Sequence, residues 1–500
     1  MARMMGMRRP LAPWCRGITT SSEQLHHAAV KIFATKQRPG WTIPWQTQTV
    51  EMSSGSGALI KKKDGAVRVL TAAHVVSDAM FVQVQRSVSH FPSDKFRARV
   101  EGVCHDTDLA VLRVETPDFD DIPEMKIADE ASLPSLFDTV HVVGYPIGGD
   151  SRCVTEGVVS RIEVVEYSHS LRHCLALTVD AAINSGNSGG PILDKATQEI
   201  VGIAFQKLSG RGVENMGHGV PTPLIHRFLR AVDENKPVQL PSLRCEYQVL
   251  ENPSIRKKLG MVEGKHTGTL VTRVHEVEGE PVLLKPGDVL MAMDGHEIDC
   301  HGHVELYGRR LSFVAVRDRK YVGDTVHLRV LRDGKEIDVE QPLHQSEYLV
   351  PRGQYDLVPK YLVVGGLVFQ PLCNEYLQGW VIQDRPVHLQ DLYNRGQLSP
   401  TQKEAIMLTQ VLADDCNVGY GSGWVGCPLV ESVNGQPVSC MDDFVAKIYA
   451  AQGEFLEIGM MRGSGPYTLV LESAQLAAAA ERVQQTYRVP APCSPHYQEE

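Results

Sequence analysis

The chain has 500 residues, 43% hydrophobic and 22% charged, with a formal net charge of -10. That length exceeds a single hydrophobic core and predicts about three domains of roughly 100–200 residues, while the acidic balance with scattered Lys and Arg argues against a nucleic-acid partner, which needs a clustered positive face. No apolar run reaches the ~20 residues that cross a bilayer as a helix, and eleven cysteines without a CxxC pair suit neither a disulfide framework nor a zinc site, which leaves buried reduced thiols.

Residues 1–22 carry Arg3, Arg8, Arg9 and Arg16, several hydroxyls and no acid before Glu23. This is the composition of an organelle transit segment, and Pro10 and Pro13 interrupt any secretory core. The expected compartment is the mitochondrion, with nuclear or plastid-type alternatives. Residues 23–236 then read as short Val- and Ile-rich strands bounded by Gly, Pro or Asp, among them "VRVLTAA", "LAVLRVE", "TVHVVGYP", "CLALTVD" and "EIVGIAFQ". Repeated strands of this kind predict a β-barrel or sandwich, closed by a helix over Pro223–Val232 with Pro at its start. After the polar linker "DENKPVQLPS" a small α/β unit spans 240–347, with a turn signal at Asp294-Gly295. A weaker echo at Asn434-Gly435 predicts a second copy over 357–472. The tail from 473 to 500 predicts a helix with Leu476, Ala480, Val483 and Tyr487 on one face, followed by disorder after Pro490.

Three motifs in the first domain carry chemistry. "LTAAHVV" places His74 just after a strand, "HDTDLAVL" places Asp108 just before one, and "NSGNSGGP" places Ser188 in a glycine turn. A hydroxyl nucleophile needs a base, and an imidazole base needs a carboxylate to fix its tautomer and stabilise its cation. The order His, Asp, Ser is that of the two-barrel trypsin-like peptidases. Asp106 is the competing carboxylate, ranked lower because Asp108 directly abuts the apolar strand. The glycines serve an oxyanion hole over Gly186, Asn187 and Ser188, with Gly186 and Ser188 as the expected N–H donors.

Together with "SSGSG", "VVGYPIGGD", "GVVSRIE", "GVPTPLI" and "ENPSIRKKLGM", these motifs make the chain resemble a Deg/HtrA serine protease of the plant-type branch. The resemblance is dense over residues 28–345 and thin beyond. It implies a mainly β fold with α/β modules: a trypsin-like double β-barrel followed by two PDZ-like domains. It also implies ATP-independent, cofactor-free endopeptidase action on unfolded or misfolded proteins, with His74 as base, Asp108 as its orienter and Ser188 as nucleophile. Ala182 stands where Lys/Arg-cutting relatives carry Asp, so a pocket of Ala182, Ile183, Ile203, Ala204 and Phe205 is expected to prefer small or medium apolar side chains. Asn187 is neutral and cannot pair with a freshly cut N-terminal amine, so activation is expected from ordering of the loops 145–153 and 206–219. Leu243, Arg244 and Cys245 match the PDZ carboxylate loop, with Arg244 where Gly is usual, which puts carboxylate capture in question. Trp41 and Trp45 resemble the N-terminal aromatics through which family members trimerise, so a trimer-based homo-oligomer is expected. A second reading, from another class, is a chaperone or scaffold whose modules carry the function while the protease site rests inactive.

Overall fold

The computed structural model describes residues 27–61, 67–86, 95–114, 123–149, 151–207, 216–276, 279, 281–421, 427–462 and 465–498. The arginine-rich segment 1–22, Asp150 and residues 208–215 of the second glycine loop lie outside the described residues. No helix among those described is long and apolar enough to cross a membrane.

Six strands close the first barrel: β1 (Ala29–Lys36), β2 (Glu51–Lys61), β3 (Val67–Thr71), β4 (Ala79–Gln85), β5 (Lys95–Cys104) and β6 (Leu109–Val114), in the order β1-β2-β3-β6-β5-β4. A second barrel is built from β7 (Thr139–Gly144), β8 (Cys153–Glu166), β9 (His173–Val179), β10 (Pro191–Asp194), β11 (Ile200–Lys207) and β12 (Gly217–Pro221), in the order β10-β11-β12-β9-β8-β7. The β-branched runs predicted from sequence supply these strands, because their stiff side chains pack well on a pleated surface. Glycine is needed where the curved sheet crowds itself: a Cβ on Gly57 would lie 2.6 Å from Val69 Cγ1. The one-turn helix α1 (Ala73–Val76) follows β3, and α2 (Thr222–Asp233) closes the barrels with Pro223 in its first turn, as predicted.

The linker is anchored by an arginine. Arg227 of α2 is 1% exposed and donates to the carbonyls of Val238 (2.8 Å), Gln239 (2.7 Å) and Lys320 (2.9 Å), so its charge is spent on backbone dipoles and fixes the next unit against the barrels. That unit runs through β13 (Pro241–Ser242), β14 (Cys245–Gln248), α3 (Pro253–Lys258), β15 (Thr269–Val274), β16 (Val289–Met293), β17 (His296–Glu297), β18 (His303–Leu306), β19 (Arg309–Ser312), α4 (Val314–Arg317), β20 (Thr325–Arg332), β21 (Lys335–Pro342) and β22 (His344–Gln345). Its sheet order is β14-β15-β16-β20-β21, with β17 folded back on β16. Phe313, Ala315 and Val316 share one apolar core with the first barrel, so the two units are packed as one body.

The C-terminal unit comprises β23 (Leu362–Val364), β24 (Leu367–Pro371), α5 (Asn374–Gln378), α6 (Val387–Arg395), β25 (Ile406–Val411), β26 (Leu429–Val433), β27 (Gln436–Pro437), α7 (Met441–Ala450), β28 (Phe455–Arg462), β29 (Gly465–Glu472) and α8 (Leu476–Tyr487). Its order is β23-β24-β25-β26-β28-β29, with β27 on β26, and from β24 onward it repeats that of the preceding sheet. In both copies the hairpin turn takes two positive φ angles, 45° and 81° at Asp294-Gly295 and 47° and 79° at Asn434-Gly435, which is what the Asx-Gly signal encodes.

Two expectations are corrected here. Residues 491–498 pack back on the sheet: Val363 N–H donates to Pro492 O (2.7 Å), Ser494 N–H to Tyr361 O (3.0 Å), and Cys493 is 3% exposed. On α8 the buried pair is Ala479 and Val483, with Tyr487 at 37% exposure, and Val483 packs with Tyr361, Val363, Val368 and Leu412. Trp41 and Trp45 are also already used within one chain. Trp41 packs on the cluster of Cys373, Tyr376 and Leu377, and Trp45 meets the Tyr361 ring edge-on at 5.8 Å. The loop 37–50 therefore straps the C-terminal unit to the first barrel.

Candidate active site

β3 ends at Thr71 and the chain turns into α1, where Ala73, Val75 and Val76 are buried and only His74 faces outward. Asp108 ends the turn that opens β6, at φ 52°, a left-handed conformation that Asp tolerates better than most residues. That turn aims its carboxylate back at His74. Nδ1–H of His74 donates to Oδ2 at 2.7 Å and the His74 backbone N–H donates to Oδ1 at 2.8 Å. Asp108 is 1% exposed. Burial alone would push its carboxyl up, but the His74 ring and the hydrogen bonds from His74 outweigh it and hold the group below the usual carboxylate range. With Nδ1 committed to the carboxylate, Nε2 is left as the basic nitrogen.

The Ser188 loop is positioned by Ser56, a residue of β2 that is fully buried. Ser56 Oγ donates to Gly186 O (2.7 Å) and accepts from Tyr145 N–H (2.8 Å), while its backbone N–H donates to Ser188 O (2.8 Å). Thr71 Oγ1, three residues before His74, donates to Ser56 O (2.7 Å) and ties the His74 and Ser188 segments to one scaffold. Gly186 (φ 98°) and Gly189 (φ 82°) are required: a Cβ on Gly189 would sit 2.1 Å from Thr71 Oγ1, and one on Gly186 2.4 Å from Tyr145 O. Asn187 N–H is taken by Asn184 O (2.9 Å), whereas among the described residues the N–H groups of Gly186 and Ser188 have no protein acceptor. Gly186 and Ser188 N–H are thus the pair of loop donors that the sequence singles out. Asn187 itself is 2% exposed and points inward beside Gly144. Among the described residues the His74 ring has one side-chain hydrogen-bond partner, Asp108, and makes no such bond to Ser188 Oγ.

Four of the five pocket candidates are divided between two apolar clusters. Ile203 and Phe205 turn into the core with Tyr167, whose ring stacks on Phe205 at 4.2 Å, while Ala204 packs with Ile183 on the other side. The reason is the two-residue period of β11. Ala182 is half-buried, its carbonyl accepting from Thr155 Oγ1 at 3.2 Å. Asp106 faces away from His74: Oδ2 binds Arg172 (3.1 Å) and Leu240 N–H (2.7 Å). In the carboxylate-loop segment, Leu243 is core, and burial pushes the Cys245 thiol up to about 12.

Sequence reasoning missed two residues that meet His74, His169 and Lys36, and two that pack on His169, His105 and Tyr355. His169, from the β8–β9 hairpin, lies with its ring 6.1 Å from that of His74, and burial lowers its pKa to about 4, so it is neutral at physiological pH. His105 Nδ1 meets His169 Nε2 at 3.0 Å, and Tyr355 stacks on His169 at 4.0 Å while its hydroxyl donates to His169 O at 2.7 Å. Lys36 Nζ donates to His74 O at 2.7 Å, with its pKa lowered by burial. No local motif marks them, because their contacts join residues 38 to 186 positions apart. A cavity of about 620 Å³ opens beside His74, Tyr355 and Lys36.

Comparison with known proteins agrees with this architecture. Residues 55–203 match the trypsin-like peptidase domain and residues 350–496 the PDZ domain. The chain is 35% identical to the putative protease Do-like 3, mitochondrial, of Arabidopsis thaliana, over 81% of this chain and 69% of that protein. It is 32% identical to protease Do-like 4, mitochondrial, of the same plant, over 94% of this chain and 86% of the relative. The solved structure of the HtrA-type protease AlgW with tripeptide superposes on 65% of this chain and 98% of its own, with a TM-score of 0.50 at 24% identity. The double barrel, the C-terminal PDZ domain and the broad identity to Do-like proteases assign the chain to the Deg/HtrA family of serine endopeptidases.

Proposed function

We propose that the protein is an ATP-independent endopeptidase that degrades unfolded or damaged proteins through His74, Asp108 and Ser188. The observation that carries this reading is the two-point grip of the buried Asp108 carboxylate on His74, at 2.7 and 2.8 Å, next to a serine loop anchored on the same strands. Asp108 holds the ring so that Nε2 takes the Ser188 proton as Oγ attacks the scissile carbonyl. Gly186 and Ser188 N–H groups stabilise the oxyanion, His74 returns the proton to the leaving amine, and water then cleaves the acyl-enzyme by the same base. ATP independence follows from family membership. The uncharged Ala182, where Lys/Arg-cutting relatives carry Asp, supports cleavage after small or medium apolar residues. The neutral Asn187, which cannot pair with a cut N-terminal amine, supports a resting state whose competence depends on loop order.

The sheet of residues 245–342 is proposed as a first PDZ-type module on the strength of its repeated strand order. Mitochondrial residence is supported by the arginine-rich start and by the mitochondrial names of Do-like 3 and 4, beside a chloroplastic Do-like 2. A trimer-based assembly rests on family membership. The deciding experiment measures casein degradation and fluorophosphonate labelling by the parent and by Ser188→Ala. Loss of both in the variant is expected. Degradation that persists in Ser188→Ala refutes the nucleophile, and a parent that neither degrades nor labels favours the scaffold reading.

A further inference from the structure

The sheet of residues 245–342 ends in the edge strand β14, which pairs on one side only, with β15. Beside it lies a groove of about 810 Å³, walled by the β8–β9 loop, by α4, by residues 346–352 and by the end of α6. Six guanidinium groups line it, from Arg172, Arg244, Arg273, Arg317, Arg352 and Arg395, against only two carboxylates, Glu246 and Glu347. In a chain of net charge -10 this is a local reversal of sign.

The usual ligand of such an edge is a terminal carboxylate held by free backbone N–H groups before the strand. Here that element is altered. Arg244, at φ 51°, commits its N–H to Ser242 Oγ (3.0 Å) and folds its guanidinium onto Gln345 O (3.3 and 3.4 Å). Positive charge is supplied from other positions instead. Arg317 and Arg172 are held by the outlying acids Asp318 (2.6 Å) and Asp106 (3.1 Å). Arg352 has no carboxylate partner among the described residues; it is held over the rings of Tyr348 (4.9 Å) and Tyr393 (4.0 Å). Arg395 has an 81% exposed side chain and, among the described residues, a single 3.5 Å contact to Asp391 within its own helix. Ring stacking and long ion pairs fix the position of a guanidinium while leaving donors for a further anion.

We propose that this groove binds an acidic, extended peptide segment internal to its chain, which adds to β14 as a strand and sets its Asp and Glu side chains against the arginines. The edge supplies main-chain pairing and the arginines supply selection by charge. The inference does not rest on the catalytic reading, because its readout is binding.

The test uses the full chain carrying Ser188→Ala, so that no probe is cleaved, and measures fluorescence anisotropy of three labelled eight-residue probes: an amidated Glu-Val repeat, its Lys-Val counterpart, and the Glu-Val repeat with a free C-terminus. Binding of the amidated Glu-Val probe is expected, weakening with salt, with no binding of the Lys-Val probe. Arg395→Glu and Arg273→Glu, at exposed and half-exposed positions, should each lower affinity about tenfold, the first with the melting temperature unchanged and the second also breaking the 3.3 Å pair of Arg273 with Glu246. Absence of Glu-Val binding, equal binding of Lys-Val, or insensitivity to both reversals overturns the proposal. So does binding that requires the free C-terminus, which is ordinary carboxylate capture, and so does binding of heparin in place of the peptide.

Discussion

Ser56→Ala tests how the nucleophile loop is held. The substitution removes one buried oxygen that donates to Gly186 O at 2.7 Å and accepts from Tyr145 N–H at 2.8 Å. Each backbone group left unsatisfied in a fully buried site costs about 1–3 kcal/mol, so partial relaxation leaves a loss of about 3 kcal/mol. For a protease unit of this size that corresponds to a fall in melting temperature of about 5–10 °C. Because Gly186 is an oxyanion donor in the proposed mechanism, the same energy withdrawn from loop order lowers kcat/KM by as much as about 100-fold. Differential scanning fluorimetry and hydrolysis of a chromogenic apolar peptide measure the two effects, with Ser54→Ala on the same strand as control. A variant within about twofold of the parent kcat/KM and about 1 °C of its melting temperature would refute the idea that Ser56 organises the loop.

Asp108→Asn should leave the fold intact and lower kcat by about 10⁴-fold in steady-state peptide hydrolysis, since an amide does not hold the productive tautomer. The depressed carboxyl of Asp108 also stabilises the fold above its unfolded pKa of about 3.9 and loses that contribution as pH falls through its folded value, so the stability gap between parent and Asp108→Asn should shrink in denaturation series below about pH 4. His169, lowered to about 4, behaves with the same sign: its contribution is full above about pH 6.5 and is lost as pH falls to about 4, so the parent should lose about 3 kcal/mol more than His169→Gln across that window. Gly189→Ala places a methyl 2.1 Å from Thr71 Oγ1 at a positive φ, and fluorophosphonate labelling of Ser188 should be abolished while the C-terminal unit still melts cooperatively. Trp41→Ala should expose the strap to limited proteolysis near residues 37–50 without changing the mass seen by light scattering; a drop in mass would return Trp41 to the subunit interface.

Much of the protein is legible in its sequence wherever the cause is local. Strands such as Leu109–Val114 announce themselves by β-branched runs, hairpins by Asp294-Gly295 and Asn434-Gly435, and the His74, Asp108 and Ser188 segments by the turn chemistry each needs. These features depend on a few adjacent residues, and adjacency survives in the sequence. What tertiary structure alone decided is which distant surfaces meet. It brought His169, His105 and Tyr355 around His74, and it turned Asp106 away toward Arg172. It divided Ile203 and Ala204 between opposite faces of one strand, and it gave Trp41 and Trp45 a partner within their own chain. Six arginines spread from 172 to 395 look scattered along an acidic chain and line a single groove only once three units pack together. Composition and period constrain each element separately, whereas long-range charge and packing arise only when the elements share a surface.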